Sequence, residues 1–238
     1  MTATIEQLRE AVEKAKTIAF FGGAGVSTES GIPDFRSTDG LYHQRYAYPP
    51  ETILSHSFFI QNPADFYDFY RHKMLYLQAE PNAAHKKLAE WEQQGKLNAV
   101  ITQNIDGLHQ RAGSKHVLEL HGSVLRNYCT KCRRFYDVTA ITDSEGIPKC
   151  ECGGIIKPDV VLYEESLDND VMNEAVRCIH EADMLIIGGT SLAVYPAAGL
   201  IHYFTGSTLA LVNRDSTPLD SRADLVLHDS IGKVFAAL

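Results

Sequence analysis

Side chains suited to proton transfer and ligand binding fall at the ends of two short apolar runs. Ala99 to Thr102 is followed by Gln103, Asn104 and Asp106, and Val117 to Leu120 by His121, Gly122 and Ser123. Runs this short, with polar and small residues directly after them, read as buried parallel strands. In an open α/β sheet, ligands collect beyond the carboxyl ends of such strands. An amide, a carboxylate and an imidazole would then share one crevice. The imidazole suits general acid–base work because its ordinary pKa of about 6.5 lies near neutrality. Spacing alone leaves a second reading of His121 open, a satisfied histidine at a strand end.

Glycine-rich turns follow two further apolar runs. Thr17 to Phe21 leads into Gly22-Gly-Ala-Gly-Val-Ser-Thr28, and Met184 to Ile187 leads into Gly188-Gly-Thr-Ser191. Glycines after a strand let the backbone approach a phosphate and leave amide N–H groups to cradle it. The first turn does not match G-x-G-x-x-G, and a tight connection is the competing reading. Directly downstream, Arg36 could pair bidentately with a phosphate and Phe35 offers a flat apolar face. A surface loop with a solvated arginine is the plainer alternative. Thr190 and Ser191 could bond phosphate or ribose oxygens, and Asn213-Arg-Asp215, after the run Thr208 to Val212, could meet a ribose hydroxyl.

Cysteines carry a different chemistry. Cys129-Thr-Lys-Cys132 is separated by seventeen residues from Cys150-Glu-Cys152. Two pairs at this separation fit tetrahedral zinc held between two turns of a ribbon, and four thiolates make a closed, structural site. The second pair has one intervening residue where two are usual, which strains the turn without forbidding ligation. The fifth cysteine, Cys178, lies in a helical pattern and reads as a buried apolar side chain.

These residues need elements to hold them. A helix from about Ile5 to Ala15 is expected, with Thr4 as its cap. Further helices are expected over Pro63 to Gln78, from Asn82 to Gln94 with Gly95 ending it, from Asp168 to Glu181, around Pro196 to Tyr203, and from Ser230. Six apolar runs, the last at Asp224 to Leu227, separated largely by helices, describe an α/β fold. It is Rossmann-like, with a mostly parallel six-stranded sheet covered on both faces and a small zinc-ribbon and helical unit. The ribbon, 124–156, is an insertion, so the main domain is discontinuous. Val160-Val-Leu162 has strand character and no obvious partner, fitting either an ordinary edge strand or an edge for an incoming peptide. Trp91 reads as packing.

The 238 residues carry a net charge of −8, which argues against a nucleic-acid surface. No apolar run approaches the roughly 18 residues of a membrane span. Clustered cysteines without a signal-peptide core place the chain in the cytoplasm, where metal is favoured over disulfides.

Taken together, GAGVSTESGIPDFR, TQNIDGLH, ELHGS, the paired cysteines, KPDVV, GTSLAVYPA and LVNRD resemble, in this order, the motifs of bacterial sirtuins, the NAD-dependent protein deacylases. The resemblance spans essentially the whole chain. It implies NAD as co-substrate, one structural zinc, and acetyl-lysine proteins or peptides as partners, with neither nucleic acid nor membrane. Nicotinamide is the implied product and inhibitor. Ala24, Gly25 and Thr28 then match diphosphate and ribose contacts. Phe35 resembles the cover of the nicotinamide pocket, and Arg36 lies in a mobile cofactor loop. Gln103, Asn104, Ile105 and Asp106 match the nicotinamide end, with Asn104 linked to catalysis and His121 the general base. Thr190, Ser191, Asn213 and Ile231 fall on the adenosine side. Val160, Leu162 and Val194 match the strands that clamp the acyl-lysine peptide. Residues 1–123 and 157–238 would form the NAD-binding domain, with 36–78 supplying the cofactor loop and the helical part of the small domain.

The implied reaction transfers the acyl group from lysine to ADP-ribose with release of nicotinamide. Family members specialised for succinyl or malonyl lysine carry Tyr-x-x-Arg in the helix expected at 63–78. Here that register reads Tyr67-Asp-Phe-Tyr70, and Arg71 is one position on, so short uncharged acyl groups are expected. Competing readings are mono-ADP-ribosyl transfer to protein, removal of longer or acidic acyl groups, and a non-catalytic NAD sensor. The last has no use for a base such as His121.

Overall fold

The computed structural model describes residues 3–34 and 48–238. Its larger sheet contains β1 (Ile18–Gly22), β2 (Leu97–Thr102), β3 (Val117–Glu119), β7 (Met184–Gly188), β8 (Thr208–Val212) and β9 (Leu225–Leu227). The order is β3-β2-β1-β7-β8-β9, with every pairing parallel. All six apolar runs are therefore strands of one sheet. Between them in sequence, β4 (Gly122–Cys129), β5 (Phe135–Asp137) and β6 (Ile156–Val160) form an antiparallel sheet in the order β5-β4-β6. This second sheet overruns the 124–156 stretch at both ends.

Alternation along each strand builds two cores. Ile18 and Phe20 join Val100, Ile186 and Val212 on one face, under α1 (Ile5–Lys14), α5 (Ala83–Gln93) and α9 (Ile231–Ala236). Ala19 and Phe21 join Ile101, Leu185 and Leu211 on the other, under α8 (Asn169–Glu181). Trp91 packs on Phe235, ring centroids 5.3 Å apart, in the first of these cores. A third core unites the short helices α2 (Pro50–Ile53), α3 (His56–Gln61) and α4 (Pro63–Lys73) with Val124, Ile156 and Val160 of the small sheet. Among the described residues the remaining α-helices are α6 (Leu108–Ala112) and α7 (Thr139–Thr142).

Several expectations need correction. Helix α4 stops at Lys73 instead of Gln78. Its last turn holds Arg71, His72 and Lys73, cations suited to a helix C-terminus, and the chain beyond turns so that Tyr76 and Leu77 reach the cleft described below. The segment near Pro196 is a 3₁₀ helix, Ala197–Tyr203. Strand β3 is an edge strand and only half buried, because strand order is set by packing and not by apolar content. Val160 does have a partner: it pairs with Gly122, and Val161 N–H donates to the His121 carbonyl at 3.0 Å.

Gly122 sits at φ +75°, where a side chain is strained, and a Cβ there would lie 1.9 Å from the Asp159 carbonyl oxygen. Gly122→Ala is expected to destabilise the protein by at least about 3 kcal/mol, read by urea unfolding.

Candidate functional site

Strand order reverses between β1 and β7, and the cleft opens beyond their carboxyl ends, as expected for a doubly wound sheet. After β1, the turn runs through two 3₁₀ segments, Ala24–Val26 and Thr28–Ser30. It lies directly against the turn after β7: Gly25 N–H donates to Gly189 O at 2.8 Å, and a Cβ on Gly25 would meet that same oxygen at 2.8 Å. Glycine is thus required where the two turns touch.

Ser27 is 1% exposed and links the turn to the end of β2. Its hydroxyl donates to Asp106 Oδ2 at 2.7 Å and accepts from Asn104 Nδ2 at 3.0 Å. This fixes the Asn104 amide and leaves its oxygen and the second N–H hydrogen for other partners. Asp106 also accepts from Leu108 N–H at 2.9 Å. Burial nevertheless pushes its carboxyl above the usual range, the hydrogen bonds opposing that shift. The sequence reading did not single out Ser27, whose only signal was a hydroxyl inside a glycine turn.

His121 Nδ1 lies 3.0 Å from the Gln103 carbonyl oxygen. A carbonyl only accepts, so Nδ1 carries the hydrogen and Nε2 the lone pair. Burial lowers the imidazole pKa below its ordinary 6.5, with the Gln103 bond opposing, so the ring is neutral at neutral pH. Gln103 itself donates its backbone N–H to Gly22 O at 2.9 Å, and its Oε1 lies 3.4 Å from Thr190 Oγ1. Its side-chain nitrogen is buried with no acceptor among the described residues. An orphaned donor in such a place calls for a ligand acceptor.

The cleft has a volume of about 450 Å³. Its lining includes Ala24, Gly25 and Thr28 of the first turn and Thr190, Ser191, Asn213 and Ile231. Gln103, Asn104, Ile105, Asp106 and His121 border the same space, and so do Val160, Leu162 and Val194. Every candidate cofactor, catalytic and peptide residue within the described residues therefore borders one space. Phe35 and Arg36 lie outside the described residues. Two further contacts were not foreseen. Arg214 pairs with Asp34 at 3.2 Å, and Glu29 Oε2 accepts Gly232 N–H at 2.6 Å, joining the first turn to α9.

The four cysteines converge. Cys129 Sγ is 3.4 Å from Cys152 Sγ, and Cys132 Sγ is 3.6 Å from Cys150 Sγ, all four sulfurs lying within 4.8 Å of one another. Zn–S bonds of about 2.3 Å in a tetrahedron put sulfurs roughly 3.8 Å apart, so the donor set fits zinc. Backbone N–H groups of Lys131 and Cys132 point at Cys129 Sγ, each at 3.4 Å. At the shorter second pair, Gly153 N–H closes a turn onto Cys150 O at 2.8 Å, which accommodates the single intervening residue.

Comparison with known proteins agrees with this geometry. The Sir2 family profile matches residues 23–196. An NAD-dependent protein deacetylase of Clostridium perfringens is 59% identical over 238 residues, covering 98% of each chain. One from Staphylococcus aureus is 42% identical over 241 residues, covering 100% of this chain and 99% of its own. Among solved structures, a Sir2 complex with p53 peptide and NAD+ superposes with a TM-score of 0.87 at 38% identity, covering 98% and 96% of the two chains. Sir2Tm bound to a propionylated peptide gives 0.87 at 37% identity over the same shares.

Because the small sheet is built around the cysteines, metal binding there is folding energy. Prolonged treatment with a strong chelator is expected to release one zinc per chain together with loss of protease resistance in residues 122–160. A metal-free chain with unchanged resistance would contradict a structural zinc.

Proposed function

The chain belongs to the Sir2 family, and from that premise we propose how its cleft carries out the NAD-dependent removal of acetyl groups from protein lysines. The carrying observation is His121, a neutral imidazole whose Nδ1–H is fixed on Gln103 O and whose Nε2 is left to act in the cleft.

NAD is the co-substrate; when bound, it supplies the ADP-ribosyl acceptor for the acyl group and releases nicotinamide. The orphaned Gln103 Nε2 and the glycine turn support its fit to this cleft. We assign Ala24, Gly25 and Thr28 to the diphosphate and adjoining ribose, and Thr190, Ser191, Asn213 and Ile231 to the adenosine side. Gln103, Ile105 and Asp106 take the nicotinamide end, where released nicotinamide would compete as an inhibitor. Asn104, held by Ser27, orients the reacting centre through its free oxygen. His121 Nε2 accepts a proton from a hydroxyl presented to it. Val160, Leu162 and Val194 flank the acyl-lysine, and their apolar walls keep water from the reacting centre.

The acyl preference follows from α4. Arg71 Nε donates to Ile141 O at 2.9 Å and its Nη2 to Gly146 O at 2.6 Å, so the guanidinium is committed to the segment after β5. Tyr67 donates its hydroxyl to Ile156 O at 2.6 Å. Neither side chain borders the cleft, which supports short uncharged acyl groups over succinyl. The domain division at 1–123 with 157–238 against the 124–156 ribbon, with 36–78 contributing to the small unit, is supported by the core that α2–α4 share with β4 and β6. Five cysteines without a disulfide support a reducing compartment such as the cytoplasm, and among the described residues no helix is long and apolar enough to cross a membrane.

His121→Ala is expected to lower kcat on an acetyl-lysine peptide by about 10²–10⁴-fold while leaving NAD binding within a few fold. Mass spectrometry of products and calorimetry with NAD would check both. Ser27→Ala, which frees Asn104 and Asp106 together, is expected to cost roughly tenfold or more in kcat/KM. Because the base works in its neutral form and burial lowers its pKa, the acid limb of kcat/KM should fall below 6.5. An acid limb above that value would place the titrating group elsewhere.

A further inference from the structure

A second cluster of metal-ligand type lies away from both the cleft and the four cysteines. His116, at the residue before β3, meets Glu174 and Cys178 of α8, one turn apart on the same helix. His116 Nε2 is 3.4 Å from Glu174 Oε1, which is 3.7 Å from Cys178 Sγ, and the three donor atoms all lie within 4.8 Å of one another. Bonds of about 2.0–2.3 Å from zinc to nitrogen, oxygen and sulfur in a tetrahedron give donor separations of roughly 3.3–3.8 Å. Two of the three edges already have that length.

The imidazole is also held as a ligating one is. His116 Nδ1 lies 2.6 Å from the Asn98 carbonyl oxygen, so Nδ1 carries the hydrogen and the Nε2 lone pair faces Glu174. Asn98 touches the other ligand as well: its Nδ2 donates to Cys178 O at 2.9 Å, and its Oδ1 is buried with no hydrogen-bond partner among the described residues. Arg177 grips both oxygens of Glu174, Nε on Oε2 at 3.0 Å and Nη2 on Oε1, so the carboxylate is fixed in place; Oε1, which also faces the histidine and the thiol, must give up or share its Arg177 contact when it ligates. Cys178 is buried at the base of the cluster, and the half-exposed His116 and Glu174 leave an approach from solvent.

We propose that His116, Glu174 and Cys178 form a second, weaker divalent-metal site that takes Zn²⁺ with three protein ligands and a solvent molecule in the fourth position. The thiol proton leaves to solvent as the Sγ–metal bond forms. Such an ion ties the edge strand β3, which otherwise pairs with β2 alone, to α8. The tie lies on the strand that ends two residues before His121.

The test starts from purified protein dialysed against a weak chelator, so that the four-cysteine zinc stays in place. Zn²⁺ is then titrated in competition with a chromogenic chelator, and Co²⁺ in parallel by absorbance. Wild type is expected to take up a second equivalent, with a thiolate-to-cobalt charge-transfer band growing in step, and to gain thermal stability as Zn²⁺ rises. His116→Gln and Cys178→Ala should each keep the first equivalent, bind the second at least about tenfold more weakly, and lose the stabilisation by added Zn²⁺. A wild-type stoichiometry that stops at one overturns the proposal, as does a second equivalent retained unchanged in both variants. Should either variant fail to fold, the wild-type cobalt spectrum decides: a second cobalt without a thiolate band rules out Cys178 as ligand.

Discussion

The cleft rests on one close approach, that of the turn after β1 to the turn after β7. A Cβ on Gly25 would run into Gly189 O, and a Cβ on Gly189, at φ +57°, would lie 2.4 Å from Val26 N. With no side chain on either, the two strand ends close up backbone to backbone, and everything polar is displaced to the rim. Ser27 then falls within reach of Asn104 and Asp106, and Thr190 within reach of Gln103. Wider turns would leave these groups facing water, where their hydrogen bonds select nothing.

Burial sets the electrostatics of that rim, in the same sense for acid and base. Desolvation penalises charge, so it raises the Asp106 carboxyl and lowers the His121 imidazole. Hydrogen bonds from Ser27 and Leu108 to Asp106 moderate the first shift and leave its direction unchanged. A rim in which Asp106 and His121 both lean toward neutrality adds little charge of its own beside the Gln103–Asp106 segment. It also leaves the His121 imidazole in its neutral form, the form the proposed base requires.

Much of this was legible in the chain. The six strands announced themselves because each is a short aliphatic run cut off by glycine or polar residues. The cysteine pairs did so because four thiols at such spacing have few other uses. What stayed hidden depends on contacts between distant residues. Ser27 acts through partners 77 and 79 positions away, and nothing in its neighbours distinguishes it from a turn serine. The edge position of β3 follows from strand order, to which its apolar residues are indifferent. The early end of α4 reflects a demand from the cleft, which recruits Tyr76 and Leu77, against a local pattern that would have continued the helix.

His121 belongs to two bodies at once. Its side chain hangs from Gln103 O, at the end of a strand in the parallel sheet, and its own carbonyl accepts Val161 N–H, just past the antiparallel one. Any rotation of the small unit against the large one must strain or re-aim one of these two bonds. On the mechanism proposed above, the residue that takes the proton also sits at the joint between the two sheets. If His121 is the base, aiming it and positioning the small sheet are mechanically one event, and a peptide that seats badly against the small sheet would misplace the base without touching it.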